Sequence, residues 1–338
     1  MQESKQLRIS VVIAMRNEER YIGKCIDSFL EQTLPKDQFE LIVIDGHSND
    51  SSRKIVKRYQ NNHTDLPIRL YDNPQKIQAA AWNMGFAKAA AEFVVMMGAH
   101  SFVDHDFLKQ NIKALETHPE VPCVGGIVTA LGADNKSKAI ALSFNSVFGV
   151  GNARYRYAQE ECYVETVNYG AYRKSMIKAI GPIDETIIRG QDWEYNFRLV
   201  KKFGKMFFTP LVKVYYNSRE NYKKLWKKQF DAGLWKAYII KKHKDSMLLR
   251  HLVPFLFVFM FLFFTILSVV KSDFIYIGAY LGFYILVNFA FSLGIAVKNK
   301  LSLLPYIMFS FFIMHTAYGI GSLLGLIHQL FSRSKQIA

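Results

Sequence analysis

The chain has 338 residues, of which half are hydrophobic, and a formal net charge of +15. Its three cysteines have neither the paired spacing of a disulfide framework nor the spacing of a metal site, so reduced thiols in a cytosolic domain are expected. Most of the long apolar runs come after residue 250, which argues against a single soluble domain and predicts a soluble part followed by a membrane part.

Short apolar runs alternate with helical patterns in the first 130 residues. The runs predicted to be strands are Leu7–Ala14, Leu41–Ile44, Ile68–Tyr71, Phe93–Met97 and Cys123–Ala130. The segments predicted to be helices are Tyr21–Gln32, Ser51–Gln60, Ile77–Ala91 and Phe107–Thr117. Strands separated by helices of about 10–15 residues are typical of an α/β fold with a mostly parallel, Rossmann-like sheet. Ligands of such sheets bind beyond the carboxyl ends of the strands.

Small and polar residues directly follow three of these predicted strands. The three clusters are Ala14–Glu19, Asp45–Ser51 and Gly98–Ser101. Asp50 and Ser51 are suited to cap the helix that follows, whereas Asp45, at the strand end, is expected to be free to accept hydrogen bonds from a ligand. Each cluster alone is typical of an ordinary strand-to-helix turn. Three clusters at one edge of a sheet predict a ligand site.

Five motifs follow one another along the chain. They are Val11–Glu18, Val43–Asp50, Asn83–Gly85, the segment Gly170–Arg173 with Gly181–Glu185, and Gln191–Arg198. Together they span roughly residues 8–216 and resemble the family 2 glycosyltransferases of GT-A fold. Among these, the chain resembles the membrane-bound, succinoglycan-type transferases of exopolysaccharide assembly. The resemblance implies that residues 1–216 form a nucleotide-sugar glycosyltransferase domain, and five motifs in this order are far more specific than any one of them.

The resemblance implies a set of residues that bind the sugar-nucleotide donor, most of them at the strand ends. The set comprises Ala14, Arg16, Glu18, Asp45, Asn83 and His100. In the family the first Asp of the second-strand motif, here Asp45, binds the nucleotide base. Ala14 stands where the family usually has proline.

The resemblance also implies a divalent cation, Mn²⁺ or Mg²⁺, with His100 as its protein ligand. The family motif here is Asp-x-Asp or Asp-x-His, and its first Asp is Gly98 in this chain. Fewer charged ligands predict weak metal binding, and the alternative is that lysine or arginine neutralises the diphosphate. A literal Asp-x-Asp occurs at Asp104–Asp106, but it directly precedes a predicted helix, so Asp106 is interpreted as its N-cap.

Asp192 is the candidate general base that deprotonates the acceptor hydroxyl. It stands in the motif Gln191–Arg198, which resembles the family's catalytic helix with Gln191 in place of the usual glutamate. From the residues alone, Asp192 could instead cap the helix. The resemblance favours catalysis and implies an inverting, single-displacement reaction.

A basic segment separates the soluble part from the apolar runs. Residues 201–250 contain 14 Lys and Arg against three acids, which accounts for +11 of the total charge. Its position before apolar spans favours an anionic membrane over nucleic acid. Aromatic residues recur at helical spacing within Glu220–His243, with lysines largely on the other side. This pattern predicts an amphipathic helix in the headgroup layer, within a membrane-interface segment 217–250, although an ordinary surface helix fits the periodicity equally well.

The C-terminal region 251–331 is predicted to contain about three transmembrane helices, at 252–270, 274–297 and 303–325. Lysine and arginine before the first span, and Lys298 with Lys300 after the second, indicate the cytoplasmic side. Three full spans would then leave Arg333 and Lys335 outside, a conflict that a re-entrant third segment removes. His315 is interpreted as a neutral histidine bonded to a neighbouring helix rather than as a functional group.

The expected function is inverting transfer from a UDP-sugar to a polyprenyl-diphosphate-linked glycan, in surface polysaccharide assembly. The expected location is a bacterial-type inner (plasma) membrane, with several spans and the catalytic domain in the cytoplasm. Two alternatives remain: a transferase that loads sugar onto polyprenyl phosphate, and a non-catalytic scaffold that binds sugar nucleotides. A chain that ends at Lys244 is expected to be soluble and to bind nucleotide.

Overall fold

The structure, a computed structural model, describes residues 6–132, 134–218 and 221–331. The described residues form two compact units. The first contains the residues up to 129 together with 158–217, and the second contains 130–157 together with the residues from 218 onward. This division differs from the predicted domain 1–216, because the segment 130–157 groups with the C-terminal helices.

The first unit is built on a mixed sheet. The strands are β1 (Ile9–Met15), β2 (Phe39–Asp45), β3 (Ile68–Asp72), β4 (Phe93–Gly98), β5 (Ser101–Val103), β6 (Cys123–Gly132), β7 (Cys162–Val164), β8 (Ala171–Arg173) and β9 (Met206–Ser218). Their order is β3-β2-β1-β4-β8-β6-β9-β5, with β7 beside β9. β1 to β4 pair in parallel, which confirms the predicted parallel half, whereas β8 pairs antiparallel with β4 and β6, and β9 with β5 and β7.

Helices cover this sheet and complete its core. The helices of this unit are α1 (Ile22–Leu30), α2 (Ser52–Asn62), α3 (Gln78–Lys88), α4 (Phe107–Thr117), α7 (Lys174–Ile180) and α8 (Gln191–Phe203). β2 and β4 are buried along their whole length, as expected for strands covered on both faces. α3 lies close to β1 at Gly85, where an added Cβ would overlap the side chain of Val12. The glycine of the Asn-x-Gly motif therefore permits helix–sheet contact.

The second unit consists of helices. They are α5 (Asn135–Phe144), α6 (Val147–Val150), α9 (Tyr222–Lys242), α10 (Leu249–Val270), α11 (Ile275–Lys298) and α12 (Leu304–Phe331). Three segments in the described part of the chain are long and apolar enough to cross a membrane, namely α10, α11 and Leu301–Phe331. They match the three predicted spans, with the third extended in both directions.

The structure bears on two predictions for this unit, namely the helix α9 and the bonding of His315. α9 begins at the cap Asn221, whose side chain accepts a hydrogen bond from the Lys224 amide at 2.9 Å. His315 is buried, and its ring nitrogens lie 3.1 Å from the Tyr284 hydroxyl and 2.8 Å from the Phe148 carbonyl oxygen. The interpretation of His315 as a histidine bonded to neighbouring elements is confirmed.

Candidate active site

The carboxyl ends of β1, β2 and β4 meet at one edge of the sheet. Met15 is in register with Asp45, and Ala14 is in register with Gly98. The Gly46 amide donates to the Met15 carbonyl at 2.8 Å, and the Ala99 amide to the Ala14 carbonyl at 3.3 Å. The three clusters that the sequence places after separate strands are therefore neighbours in space.

The loops after β1 and β2 are joined by reciprocal hydrogen bonds. The Asn17 amide donates to Ser48 Oγ at 2.9 Å, and the Asn49 amide donates to Asn17 Oδ1 at 2.9 Å. The Glu18 amide donates to Ser52 Oγ at 2.8 Å. Asn17 has a left-handed backbone conformation, with φ of 54°. Each loop satisfies polar groups of the other, so the two loops form one hydrogen-bonded rim at the strand ends.

Asp50 fixes this rim at the start of α2. Its carboxylate accepts hydrogen bonds from the Ser52 amide and hydroxyl and from the Glu19 amide at 3.1 Å. Partial burial acts to raise the pKa of Asp50, but these hydrogen bonds outweigh it and hold the pKa below its usual value. Ser51 occupies the N-cap position of α2, although its side chain makes no capping hydrogen bond.

Asp45 is not free, contrary to the expectation from sequence. Its carboxylate is completely buried and accepts from the Ser48 amide at 3.1 Å and the Ser48 hydroxyl at 2.5 Å. Arg53 of α2 lies 2.7 Å from the other carboxylate oxygen and also pairs with Asp72 at the end of β3. A buried carboxylate needs such partners, so Asp45 holds both the turn after β2 and the guanidinium of Arg53.

Ala14 and Arg16 lie at the same strand end. Ala14 is half-buried within β1, whereas Arg16 is exposed in the loop that follows. The Arg16 side chain lies over Gly46, where an added Cβ would approach Arg16 Cδ to 3.3 Å. The glycine after Asp45 therefore leaves room for the arginine above the strand ends.

His100 faces Glu18 across the site. His100 Nδ1 lies 3.5 Å from Glu18 Oε1, and the histidine side chain is 40% exposed while the glutamate side chain is 17% exposed. An added Cβ at Gly98 would lie 3.2 Å from the His100 ring, so the ring occupies the space beside the missing carboxylate. Within residues 6–132, 134–218 and 221–331, no three His, Cys, Asp or Glu side chains are grouped as a ready-made metal site.

The alternative metal motif, Asp104–Asp106, is part of the start of α4. Asp106 is the N-cap residue, as expected, and the Phe107 amide donates to the Asp104 carbonyl at 3.0 Å. The Asp106 side chain does not cap the helix but accepts a hydrogen bond of 2.5 Å from the Thr33 hydroxyl. These carboxylates serve the local structure of the loop.

The start of α8 is attached to the start of α3. Gln191 is buried, and its side-chain amide donates to the Gln78 side chain at 2.9 Å. Gln78 follows the loop after β3, in which the Asn73 amide donates to the Asp45 carbonyl at 2.8 Å. A continuous series of contacts thus leads from the strand ends to the residue next to Asp192.

Asp192 lies in the first turn of α8 but is not its cap. The N-cap residue is Gly190, with φ of 78°, so Asp192 is the second residue of the helix. Its carboxylate is on a half-buried side chain and accepts from the Trp193 amide at 2.8 Å. Asp192 is therefore not the N-cap residue, although its carboxylate satisfies one amide of the first turn, and negative charge is favoured at this helix end.

The segment 180–185 is held by both α3 and α8. Asn83 donates to the Ile183 carbonyl at 2.9 Å and to Glu185 Oε1 at 2.8 Å, and it accepts from the Ile183 amide at 2.8 Å. Arg198 pairs with the buried Glu194 at 2.9 Å and donates to two carbonyls of the segment. Asn83 is therefore occupied with positioning this segment, and its predicted contact with the donor stays a prediction.

Sequence reasoning did not identify Arg53 and Gln78. Neither belongs to a motif quoted above, and a lone arginine or glutamine after a strand carries no periodic signal. The ion pair between Glu194 and Arg198 could have been predicted from the sequence, because residues four apart on a helix are neighbours.

Comparisons with known proteins found a matching family model and similar relatives. The family model described as "Glycosyl transferase family 2" matches residues 10–181. A dolichyl N-acetyl-alpha-D-glucosaminyl phosphate 3-beta-D-2,3-diacetamido-2,3-dideoxy-beta-D-glucuronosyltransferase of Methanococcus voltae is 32% identical, over 94% of this chain and 97% of the relative. The succinoglycan biosynthesis protein ExoA of Rhizobium meliloti is 26% identical, over 72% of this chain and 73% of the relative.

A solved structure has the same fold. The mannosyltransferase PcManGT from Pyrobaculum calidifontis, determined in complex with GDP-Man and Mn²⁺, aligns with a TM-score of 0.61 at 17% identity. The alignment covers 97% of this chain and 88% of that structure. The predicted GT-A architecture is confirmed.

Proposed function

The chain belongs to glycosyltransferase family 2, and on that basis we propose that it transfers a sugar from a UDP-sugar to a lipid-linked glycan with inversion at the anomeric carbon. The observation that carries the proposal is the connection of the three strand ends to the start of α8 through Gln78 and Gln191. This connection supports a single site that contains the donor-side clusters and Asp192.

Asp192 acts as the general base in this proposal. The acceptor hydroxyl oxygen forms the new bond to the anomeric carbon while the bond from that carbon to the diphosphate oxygen breaks. The proton of the hydroxyl passes to Asp192, and the electron pair of the broken bond leaves with UDP. A single displacement of this kind inverts the anomeric carbon and gives a β-linkage from an α-linked donor.

Several residues at the strand ends bind the donor in the proposal. The exposed Arg16 lies over Gly46 and supplies positive charge for the diphosphate. Asp45 acts by fixing the turn with Ser48 and the guanidinium of Arg53, whose side chain is 33% exposed. In the proposal, the small side chain of Ala14 leaves space for the donor to approach the backbone at the end of β1.

Glu18 and His100 fit a divalent cation as a two-ligand site. They lie 3.5 Å apart and combine a carboxylate with an imidazole, a donor set that suits Mn²⁺ better than Mg²⁺. A bound cation would neutralise the charge that develops on the leaving diphosphate. Two protein ligands predict weak affinity in the absence of the donor.

We propose a lipid-linked sugar as the acceptor and the cytoplasmic face of the inner membrane as the location. The name of the Methanococcus voltae relative gives an acceptor in which a sugar is already attached to dolichyl phosphate. This supports extension of a lipid-linked glycan over direct loading of the lipid. The apolar helices and the basic segment before them support a site next to the bilayer.

The experiment is transfer to lipid by the purified full-length protein. The protein in detergent is incubated with radiolabelled UDP- and GDP-sugars and with three acceptors, namely polyprenyl phosphate, polyprenyl phosphate-linked N-acetylglucosamine and the corresponding diphosphate. Label in the lipid extract that depends on a sugar-bearing acceptor, with a β-linkage by NMR, supports the proposal. Label on bare polyprenyl phosphate favours direct loading, and nucleotide binding without transfer favours the scaffold; either result overturns the proposed reaction.

A further inference from the structure

α9 lies beside α12 along almost its entire length. Near the start of α9, the rings of Tyr222 and Phe309 are 4.7 Å apart. Near its end, Lys241 Nζ donates to the Gln329 carbonyl at 3.4 Å. Because residue numbers rise together in both helices, the two run in the same direction.

Small residues bring these two helices into backbone contact. An added Cβ at Gly233 would overlap the Tyr318 carbonyl, and one at Gly321 would overlap the Phe230 carbonyl. At Gly325 an added Cβ would come within 2.8 Å of Ala237 Cβ. Helices packed this closely over their whole length must occupy the same depth in a membrane.

The charged residues of α9 determine which depth in the membrane is energetically favourable for the pair of α9 and α12. The middle of α12, near Tyr318, lies opposite Gly233. Lys227, Lys228 and Asp231 are within two turns of that point, and Lys227 pairs with Asp231 at 3.0 Å. If α12 crossed the bilayer, these three charges would lie near its centre, where ionised side chains are strongly disfavoured.

α12 also crosses the hairpin formed by α10 and α11. α10 and α11 pack antiparallel: the Tyr280 hydroxyl donates to the Phe257 carbonyl at 2.7 Å, and the Ile277 amide to Ser268 Oγ at 3.1 Å. α12 meets α11 where Asn288 donates to the Met308 carbonyl at 3.0 Å. It meets α10 where Gly319 lies against the Pro254 carbonyl.

These contacts lie near the middle of α10 and α11. His315 of α12 reaches both helices there, through the Tyr284 hydroxyl at 3.1 Å and the Phe257 ring at 6.1 Å. From Met308 to His315 of α12, the residue contacted on α11 changes only from Asn288 to Tyr284, which is about one helical turn. At Gly319, α12 already contacts α10. α12 therefore runs across the hairpin rather than along it.

The two outer faces of the pair differ in chemistry. α12 exposes an apolar stripe near each of its ends, while residues 313–323 between them are buried or half-buried. The exposed residues recur every three or four positions and are Pro305, Phe309 and Phe312 near the start and Leu324, Ile327 and Leu330 near the end. α9 exposes six lysines, at positions 223, 224, 227, 228, 241 and 242. In the most apolar stretch of each segment, 11% of the residues of α10 and 17% of those of α11 are buried, against 56% in the third segment. α12 is therefore largely covered by protein, and its exposed surface is apolar.

We propose that α9 and α12 form a two-helix layer in the plane of an anionic bilayer surface, and that among the described helices only α10 and α11 span the membrane. The apolar stripes of α12 enter the acyl boundary, and the lysines of α9 contact the anionic headgroups. Both ends of α12 then lie on the side of Lys298 and Lys300. Arg333 and Lys335, which gave the charge conflict in the sequence, lie outside the described residues. The inference concerns the lipid surface and is independent of the sugar chemistry.

Side-specific thiol labelling tests the topology in the full-length protein. Cysteine is introduced singly at Ser302, His328 or Ser272, all exposed, in a Cys162→Ser background. A membrane-impermeant maleimide is applied to inside-out and right-side-out vesicles. We expect Ser302→Cys and His328→Cys to react from the same side and Ser272→Cys, in the turn between α10 and α11, from the opposite side. Reaction of His328→Cys from the side of Ser272→Cys would establish a third span and overturn the proposal.

A depth measurement decides the same question without relying on access to the termini of α12. Ile320→Cys, at the middle of the helix, carries an environment-sensitive fluorophore, and the protein is reconstituted in phosphatidylglycerol vesicles with brominated lipids. We expect stronger quenching by bromine near the headgroup than near the chain end, by at least about twofold. Stronger quenching at the chain end would mean that α12 spans.

Discussion

At Asp45, a carboxylate without exposed surface holds both the turn after β2 and the guanidinium of Arg53. The sequence motif predicts a donor-site residue at this position, but the expectation of a free carboxylate missed its partners Ser48 and Arg53. The burial of Asp45 and its ion pair with Arg53 result from tertiary contacts with α2 and β3, and no local sequence pattern predicts them. The same holds for Asn83, which contacts residues 100 positions away.

Asp45→Asn is expected to lower the affinity for UDP by about 10- to 150-fold. Asparagine keeps an acceptor for Ser48 but loses the charge that fixes Arg53, and charge-assisted hydrogen bonds contribute about 1.5–3 kcal/mol. Calorimetric titration with UDP measures the change. Asp72→Asn, which removes the exposed partner of Arg53, is the matched control and should have a small effect. Unchanged affinity in Asp45→Asn would refute the role given to this network.

His100→Ala is expected to raise the Mn²⁺ concentration needed for half-maximal turnover by about tenfold or more, with Mn²⁺ preferred over Mg²⁺ in the wild type. The reason is that Glu18 would remain as the single protein ligand of the proposed pair. Initial rates at a series of metal concentrations check this, with His105→Ala as a control outside the site. Full activity of the wild type in excess chelator would contradict a metal role altogether.

At the scale of the elements, long apolar runs were the reliable signal. β1 to β4 and α1 to α4 occur where the sequence predicts them, within a few residues at each end. β5, β7 and β8 have only three residues each, too few for any periodicity to be visible. Their antiparallel pairing therefore could not be predicted, and it makes the sheet mixed rather than mostly parallel.

Gly85→Ala is expected to destabilise the protein by about 1–3 kcal/mol, because the new methyl group would overlap Val12 at the contact of α3 with β1. Thermal unfolding of the detergent-solubilised protein measures the loss. Gly278→Ala is the matched control: it is also a helical glycine, but nothing lies within 4 Å of the added atom. If both variants unfold at the wild-type temperature, the close α3–β1 contact is not real.

At the scale of the whole molecule, the segment 130–157 was the main feature that the sequence did not reveal. α5 follows the parallel strands and has the composition of an ordinary helix of the soluble part, yet Ala139, Ile140 and Phe144 are buried with residues of α9 and α12. The partner of an apolar face is not encoded by its periodicity. For the same reason the amphipathic pattern of α9 predicted a helix in the headgroup layer but did not reveal that α12 packs beside it.

A chain ending at Lys244 is now expected to aggregate without detergent, which revises the expectation from sequence. Removing α10 to α12 exposes Leu225, Trp235 and Ile239 of α9, which are at most 8% exposed in the full chain. Size-exclusion chromatography of both proteins, with and without detergent, checks this. A monomeric, detergent-free truncated protein would show that the second unit does not depend on its apolar helices.

The central claim is sugar transfer with Asp192 as the base, and its most direct test is turnover by Asp192→Asn at saturating donor and acceptor. The change removes proton acceptance but keeps the size of the side chain and its contact with the Trp193 amide. We predict a loss of roughly 10²–10⁴-fold in kcat with UDP affinity nearly unchanged, while Asp65→Asn, at an exposed site, behaves as wild type. Turnover at the wild-type rate in Asp192→Asn would contradict the account.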